Sequence, residues 1–215
     1  MLYIIEDISQ LDDKFVFESY NLICSNFNSY NIKSKESMCS RILLHYILKE
    51  KLRFDKYEAV FEKNKKPYLV NNGVYFNISH SGNSVACAVS QNEIGCDIQA
   101  KTEFNEKIAK RYFCQSEYDL LQLTKDKSAI FFKLWTLKES VLKFSGEGIS
   151  GGLATYDFSS CVYKDEFQLY NLNFKILIFN NIFAAVCSER KNCDVTFVTC
   201  EQLLQYYQKM KGEQN

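Results

Sequence analysis

The sequence is short of several features, and each shortage narrows the classes of protein to which it can belong. It has one proline and one tryptophan, and its 26 basic residues balance 26 acidic ones to a formal net charge of zero. With no excess of positive charge we expect no nucleic-acid partner, and any cationic site must be a local cluster. No apolar run approaches the roughly 20 residues that span a bilayer, and the first ten residues, MLYIIEDISQ, lack the basic segment of a secretory signal. We therefore expect a globular cytoplasmic protein with no membrane partner.

Cysteine, a residue with a reactive thiol, is unusually frequent in the sequence. Nine cysteines are scattered along 215 residues, a pattern that favours reduced thiols acting as small buried side chains in a reducing compartment. A structural zinc site needs closely spaced ligand pairs. Cys187 and Cys193 are too far apart for that signature, and His45 and His80 are the only histidines, so we expect no structural zinc.

The pattern of apolar residues predicts the same order of elements twice. In the first half it predicts a strand at 2–5, a helix at about 37–52, and strands at 74–78, 84–90 and 96–99. In the second half it predicts a helix at about 129–144 and strands at about 166–170, 174–179, 182–188 and 194–199. The end of the chain begins as an amphipathic helix.

Short stretches of sequence also repeat between the halves. NSVACAVS at 83–90 is echoed by NIFAAVCS at 181–188, and each is followed by a polar turn and then by CDI (96–98) or CDV (193–195). The repeat predicts an α+β fold, a pseudodimer of an N-terminal subdomain (1–95) and a C-terminal subdomain (96–215). A cleft between two such halves is the expected place for a binding site.

Three segments contain candidate functional residues, and the first is KKPYLVNNGVYFNISHSG at 65–82. Ser79 and Ser81 flank His80 at the end of a short apolar strand, and hydroxyl, imidazole and backbone N–H groups at such a position suit a phosphate. Lys65 and Lys66 can add charge if the chain folds back. Two other interpretations stay open: nucleophilic catalysis by Ser79, although partners of such a serine are seldom its neighbours in sequence, and a surface turn with no role.

The second segment is IGCDIQ at 94–99. Asp97 and Gln99 alternate with apolar residues and point to the same face of a strand. A carboxylate within an apolar strand is costly unless a cation compensates it, and Mg²⁺ needs only one or two carboxylates when substrate phosphates complete its shell. An aspartate that simply faces solvent is the alternative.

The third segment is FFKLWTLKESVLKFSGEGIS at 131–150. Glu139 and Lys143 form an i,i+4 pair, which alone would contribute only tenths of a kcal/mol. Lys138 falls within the apolar arc of the helix, so it must extend to the surface or meet an anion. The glycines that follow are expected to end the helix.

In this order the motifs resemble one enzyme family. FNISHSG, then GCDIQ, then W-x-x-K-E-S-x-x-K with a following G-x-G are similar to the 4′-phosphopantetheinyl transferases of the surfactin-synthetase-activating (Sfp) type. KPY at 66–68 and RYFCQSEYDLL at 111–121 extend the likeness, and the family's fold is a pseudodimer. The resemblance implies transfer of 4′-phosphopantetheine from coenzyme A to a serine of an apo acyl, peptidyl or aryl carrier protein, with release of adenosine 3′,5′-bisphosphate.

The resemblance also implies a role for individual residues. The metal site, for Mg²⁺ or Mn²⁺, would comprise Asp97, Gln99 and Glu139. The catalytic residues would be Glu139, Lys143 and His80, with Glu117 or a water as alternative bases. The coenzyme A site would comprise Arg41, Lys66, Pro67, Tyr68, Ser79, His80, Lys138 and Lys143. Phosphoryl transfer depends on positioning and charge neutralisation, which such a set can supply.

One residue departs from the family's pattern. The position two after Asp97 is often acidic in the family, and here it is Gln99. An amide oxygen can ligate a metal but adds no negative charge, so we expect weaker metal affinity. The family further implies a monomer, and we expect the carrier to dock near Phe113, Tyr118 and Leu121 unless these belong to the core. A coenzyme A-binding module without catalysis, or another Mg²⁺-dependent nucleotide enzyme, would be the rival interpretations.

Overall fold

A computed structural model of the chain describes residues 1–29, 32–63, 65–148, 152–191 and 193–213. Strands β1 to β11 are, in chain order, Leu2–Ile5, Phe27–Ser29, Ala59–Phe61, Tyr68–Leu69, Tyr75–Ser81, Ser84–Ser90, Ile94–Ala100, Glu166–Leu169, Leu172–Phe179, Ile182–Ser188 and Val195–Phe197. Helices α1 to α6 are Asp13–Ile23, Lys35–Tyr46, Glu106–Tyr112, Gln115–Leu123, Lys127–Ser145 and Cys200–Glu213. Over these described ranges no helix has both the length and the apolar content needed to cross a membrane.

The strands form two four-stranded sheets and a small third sheet. The first sheet has the order β11-β1-β6-β5, the second β7-β10-β9-β8, and the small one β2-β3-β4. In each large sheet an antiparallel hairpin, β5–β6 or β9–β10, pairs with the strand that opens its half, β1 or β7. This duplication confirms the predicted α+β pseudodimer.

Both large sheets are covered on their two faces. Their facing surfaces share one apolar cluster, formed by Leu2, Ile4, Ala86, Ala88, Ile94, Cys96, Ile98, Ala184 and Val186. Side chains alternate across a strand, so the neighbouring residues face outward and pack in the two helix-bearing cores. That is why β6 reads SVACAVS, almost without polar residues: a strand that is buried on both faces needs apolar side chains at every position.

The predicted subdomain boundaries differ from the structure at both ends of the second half. The boundary at 95/96 falls inside β7, which belongs wholly to the second sheet. At the other end, β11 pairs in parallel with β1, and Leu203 and Tyr207 of α6 are buried in the core of the first half. The last segment therefore belongs to the first half, because β11 covers the edge that β1 would otherwise leave open.

Several elements differ from the sequence pattern or escape it. The helix predicted at 37–52 begins at Lys35 and becomes π-helical over Ile47–Lys51. The helix predicted at 129–144 spans Lys127–Ser145 and ends, as expected, at a glycine, since Gly146 adopts the left-handed conformation with φ of 77°. Residues 149–151 of the glycine-rich run lie outside the described residues. Helices α1, α3 and α4 and the small sheet were not predicted.

A single glycine sets the distance between α5 and β7. A Cβ atom on Gly95 would lie 2.1 Å from the carbonyl oxygen of Ser140 and 2.5 Å from the backbone nitrogen of Phe144. Since no side chain fits there, Gly95 allows the helix to lie directly on the strand. This contact brings the charged residues of α5 beside Asp97 in β7.

Candidate active site

A cleft of about 590 Å³ lies between the two halves. The first half contributes the segment from Phe61 to Pro67 and part of β5, and the second half contributes the end of α5 and the residues after it. The lining comprises Phe61, Glu62, Lys65, Lys66, Pro67, Asn77, Ile78, Glu139, Leu142, Lys143, Gly146, Glu147 and Gly148. Four of the predicted site residues, Lys66, Pro67, Glu139 and Lys143, therefore share one cavity.

Asp97 lies at the base of this region and is almost completely buried, at 1% exposure. Its Oδ1 accepts hydrogen bonds from Lys143 Nζ at 2.6 Å and from Ser79 Oγ at 2.7 Å. Its Oδ2 accepts from the Gln99 amide nitrogen at 2.9 Å. Three side chains from three elements thus hold this carboxylate in one orientation.

Glu139, one helical turn before Lys143, has a less satisfied environment. It is 9% exposed, and its Oε1 is buried without a hydrogen-bond partner among the described residues. Burial, together with the neighbouring Asp97 carboxylate, raises the pKa of Glu139, and Lys143 opposes this only in part. Burial works to lower the pKa of Lys143, but Asp97 and Glu139 outweigh it and raise that pKa, so the lysine stays charged.

The two carboxylates fit a divalent cation with oxygen ligands. Asp97 and Glu139 are close enough for one to raise the pKa of the other, and Glu139 Oε1 has an unused buried lone pair. A buried, uncompensated carboxylate oxygen beside a second carboxylate is costly unless a cation joins them. Mg²⁺ accepts such a pair when the rest of its shell is water or phosphate.

Two cations lie in the cleft with Glu139. Lys143 projects to it from α5, and Lys66 Nζ donates to the Phe144 carbonyl oxygen at 2.8 Å and forms an ion pair with Glu93. Both lysines line the cleft. Glu93, which lies in the turn before β7, is not among the predicted site residues.

The remaining predicted coenzyme A residues lie at different depths. His80 is exposed on β5, and partial burial lowers the pKa of His80, with Lys143 and Arg41 acting in the same direction. The guanidinium of Arg41, 7% exposed, stacks on the ring of Phe61 with its carbon 3.9 Å from the centroid. Tyr68 is 49% exposed and lines a neighbouring cavity of about 290 Å³ that also contacts Lys66 and Pro67.

Lys138 does not fit its predicted role in coenzyme A binding. Neither it nor Glu117 has any exposed surface, and the two form an ion pair of 2.7 Å. Lys138 also donates to the carbonyl oxygens of Leu153 and Tyr156. The anion that this lysine meets is a protein carboxylate, and Lys138 is not among the residues of the cleft.

The same geometry argues against Glu117 as the base. Its two oxygens accept from the backbone nitrogen atoms of Phe158 at 2.9 Å and Cys114 at 3.1 Å, besides Lys138. Cys114, Glu117 and Asp157 also form the one group of three potential metal ligands within 4.8 Å over the part of the chain that the structure describes. Because Glu117 is already fully paired, Asp97 and Glu139 remain the better candidates.

The predicted docking surface is wrong for two of its three residues. Phe113 is 6% exposed and stacks on Phe131, and Leu121 has no exposed surface. Tyr118 is half-buried and donates its hydroxyl to Glu106. The apolar pattern at 113–121 therefore reflects packing of α4 on α5.

Comparison with known proteins identifies the class to which this fold and site belong. The model for the 4′-phosphopantetheinyl transferase superfamily matches residues 93–187, and the model for the 4′-phosphopantetheinyl transferase N-terminal region matches residues 23–92. The chain belongs to the 4′-phosphopantetheinyl transferase superfamily.

Within that superfamily the chain resembles the Sfp-type enzymes. It is 37% identical to the 4′-phosphopantetheinyl transferase gsp of Aneurinibacillus migulanus, over 55% of this chain and 52% of that protein. The identity is 35% to psf-1 of Bacillus pumilus (58% and 56% covered) and 36% to Sfp of Bacillus subtilis (58% and 57% covered). The chain thus spans about half the length of these relatives.

Proposed function

We propose that this protein transfers 4′-phosphopantetheine from coenzyme A to a serine hydroxyl of an apo carrier protein and releases adenosine 3′,5′-bisphosphate. The observation that carries the proposal is the buried pair of Asp97 and Glu139. Glu139 lines a two-sided cleft together with Lys66 and Lys143, and Asp97 accepts a hydrogen bond from Lys143. Phosphoryl transfer requires a metal site and positive charge next to the phosphates. The two carboxylates can hold the metal, and the two lysines can supply the charge.

In this proposal Asp97 and Glu139 would hold Mg²⁺ or Mn²⁺, with Gln99 at the edge of the site. The metal, when bound, would neutralise charge on the pyrophosphate. Lys143 and His80 would contact phosphate oxygens, and Lys66 and Arg41 would bind the adenine nucleotide and its 3′-phosphate beside Pro67 and Tyr68. These groups would hold the pyrophosphate so that the serine oxygen attacks in line.

Glu139 is our choice of base. The serine oxygen forms a bond to the phosphorus that carries pantetheine, the bond from that phosphorus to the adenosine phosphate breaks, and the serine proton passes to Glu139 directly or through a water. Glu139 lines the cleft, where its carboxylate would be within reach of the attacking hydroxyl, directly or through a water. Glu117 is sealed in its ion pair with Lys138 and offers no such path.

The partner we propose is an acyl, peptidyl or aryl carrier protein, and the enzyme itself a cytoplasmic monomer. All nine cysteines are free, as a reducing compartment would require. Sedimentation at several concentrations tests the monomer.

The test of the reaction is incubation with coenzyme A, Mg²⁺ and several apo carrier proteins, followed by mass spectrometry of the carriers. We expect a gain of one phosphopantetheine on the carrier serine, and its loss when Mg²⁺ is chelated. Asp97→Ala and Glu139→Ala should abolish the gain, while Glu166→Ala, which removes an exposed carboxylate of an edge strand, serves as control. If coenzyme A binds but no carrier gains mass, the protein is a binding module and the proposal fails.

A further inference from the structure

Strands β5 and β7 are edge strands of different sheets, and they lie side by side at the seam between the halves. Neither pairs with the other through backbone ladder bonds. Instead, alternate side chains of β5 accept backbone N–H groups of β7. The bonds are Cys96 N to Asn77 Oδ1 at 3.0 Å, Ile98 N to Ser79 Oγ at 3.3 Å, and Ala100 N to Ser81 Oγ at 3.0 Å.

These bonds account for three polar residues of the FNISHS segment, Asn77, Ser79 and Ser81. Side chains at 77, 79 and 81 point to one face of β5, and that face meets the edge of β7. The N–H groups along this edge would otherwise be buried without partners. Asn77 and Ser79 are accordingly buried, at 4% and 6% exposure.

Ser79 differs from the other two residues because it is also bonded to the candidate metal site. Its hydroxyl donates to Asp97 Oδ1 at 2.7 Å and accepts from Lys143 Nζ at 2.8 Å, in addition to the N–H of Ile98. A hydroxyl has one proton to donate and two lone pairs to accept with. All three are used, so this side chain has no bond left for a nucleotide.

We propose that Ser79 is a positioning residue, which holds the Asp97 carboxylate in the orientation that binds the metal, whereas Ser81 serves the seam alone. The inference rests on the proposed function, since it takes Asp97 as a metal ligand. Groups that hydrogen-bond to a metal ligand orient it, and their loss typically lowers metal affinity or activity about 10–100-fold. It also replaces the sequence-based role of Ser79 in nucleotide binding.

Two substitutions separate positioning from seam bonding. Ser79→Ala and Ser81→Ala each remove one acceptor of a β7 N–H group, so both should lower the melting temperature. Only Ser79→Ala also removes a hydrogen bond to Asp97. We expect the Kd for Mn²⁺, measured by electron paramagnetic resonance without coenzyme A, to rise about 10-fold or more in Ser79→Ala and to stay at the wild-type value in Ser81→Ala.

A second pair of variants separates the hydroxyl from packing. Ser79→Thr and Ser79→Val add the same bulk, but only threonine keeps the hydroxyl, so threonine should retain Mn²⁺ affinity and valine should lose it. This pair also serves if the alanine variant does not fold. In turnover assays, Ser79→Ala should lower kcat at subsaturating Mg²⁺ and leave the metal-free Kd for adenosine 3′,5′-bisphosphate unchanged.

Each outcome bears on a distinct claim. Equal Mn²⁺ affinity in Ser79→Ala and Ser81→Ala would overturn the positioning role, as would a weakened bisphosphate affinity without a metal effect, which would return Ser79 to the nucleotide site. A wild-type protein that binds Mn²⁺ through Ser79-dependent geometry but transfers nothing would overturn the proposed function and leave the positioning role standing. A wild-type protein that binds no Mn²⁺, either alone or with coenzyme A present, would overturn both.

Discussion

Two of the four lysines of helix α5, Lys138 and Lys143, each form an ion pair with a carboxylate that is almost or wholly buried. The Lys138–Glu117 pair, 2.7 Å long, has no exposed surface on either side chain. The Lys143–Asp97 pair, 2.6 Å long, borders the cleft, and the Lys143 side chain is 28% exposed. Both are lysine–carboxylate pairs of nearly equal length, but their surroundings differ.

The difference lies in what is left unsatisfied. Lys138 and Glu117 also bond four backbone groups, and so join α4, α5 and the segment at 153–158. Beside Lys143 and Asp97, by contrast, Glu139 has a buried oxygen with no partner among the described residues. A fully satisfied buried pair is structural, and one with an uncompensated charge beside it is the better candidate for chemistry.

The largest expected effect comes from breaking the fully buried pair of Lys138 and Glu117, which we call the sealed pair. Lys138→Met leaves Glu117 buried without its cation, which should cost about 3–5 kcal/mol of unfolding free energy and lower the melting temperature by on the order of 10 °C. Lys143→Met should destabilise less, because Asp97 keeps its bonds from Ser79 and Gln99. Thermal melts with and without Mg²⁺ measure both.

Added Mg²⁺ sharpens this contrast. A cation held by Asp97 and Glu139 replaces the charge lost in Lys143→Met and should restore its stability, but it cannot reach the sealed pair. Because a bound metal also stabilises wild type, each variant is compared with wild type at the same Mg²⁺ concentration. If Mg²⁺ closes the gap between Lys138→Met and wild type as it does for Lys143→Met, the two pairs are not separate environments.

The next prediction distinguishes Glu139, whose substitution should lower activity but not stability, from Glu117, whose substitution should lower stability. Glu139→Gln removes a buried charge that repels Asp97, so the metal-free protein should be no less stable than wild type, while transfer falls at least about 100-fold because a metal ligand and base is lost. Glu117→Gln weakens the sealed pair and should lower the melting temperature. Retained transfer in Glu139→Gln would refute its role in the site.

The two histidines allow a buried group to be compared with an exposed one through the pH dependence of stability. His45 is buried in the core of the first half, where burial, with a contribution from Lys49, lowers the pKa of His45 to about 4. The unfolded chain binds a proton there near pH 6.5 and the folded one does not, so stability from this group is present above pH 6.5 and is lost as the pH falls towards 4, by about 3 kcal/mol.

Chemical denaturation between pH 7 and pH 4 measures this loss. His45→Gln, which keeps a polar partner for the Tyr57 hydroxyl, should reduce it by about the same 3 kcal/mol. His80→Gln, on the exposed face of β5, should change the slope far less. Equal slopes in the two variants would mean that His45 is not buried as a neutral ring.

The apolar pattern predicted several of the longer elements, but helix α1 was not predicted although its buried residues recur at helical spacing. Strands β1 and β6 have the predicted bounds, and α5 differs by two residues at its start and one at its end. Strands of two or three residues, such as β3 and β4, contain too few positions for a pattern to emerge. They depend on contacts between distant parts of the chain.

Residue roles were predictable only where one element decides them. A helical projection shows that Lys138 lies on an apolar face, but it does not show that Glu117 meets it there. Likewise, alternation places Ser79 and Ser81 on one face of β5 but cannot show that the edge of β7 lies against that face. Both corrections concern pairs whose members lie on different elements.

The smallest effect concerns Gln99, where the sequence departs from the often acidic residue of the family. Its amide nitrogen donates to Asp97 Oδ2 at 2.9 Å. Gln99→Glu removes that bond and adds a third carboxylate, so the metal-free protein should lose some stability, and the half-saturating Mg²⁺ concentration should fall by roughly fivefold, or about 1 kcal/mol.

Gln168→Glu, on the exposed edge strand β8 of the same sheet, adds the same charge at a distance and is the control. If activity titrations give both variants the wild-type Mg²⁺ dependence, Gln99 lies outside the metal shell. Asp97 and Glu139 would then hold the metal without a third protein ligand.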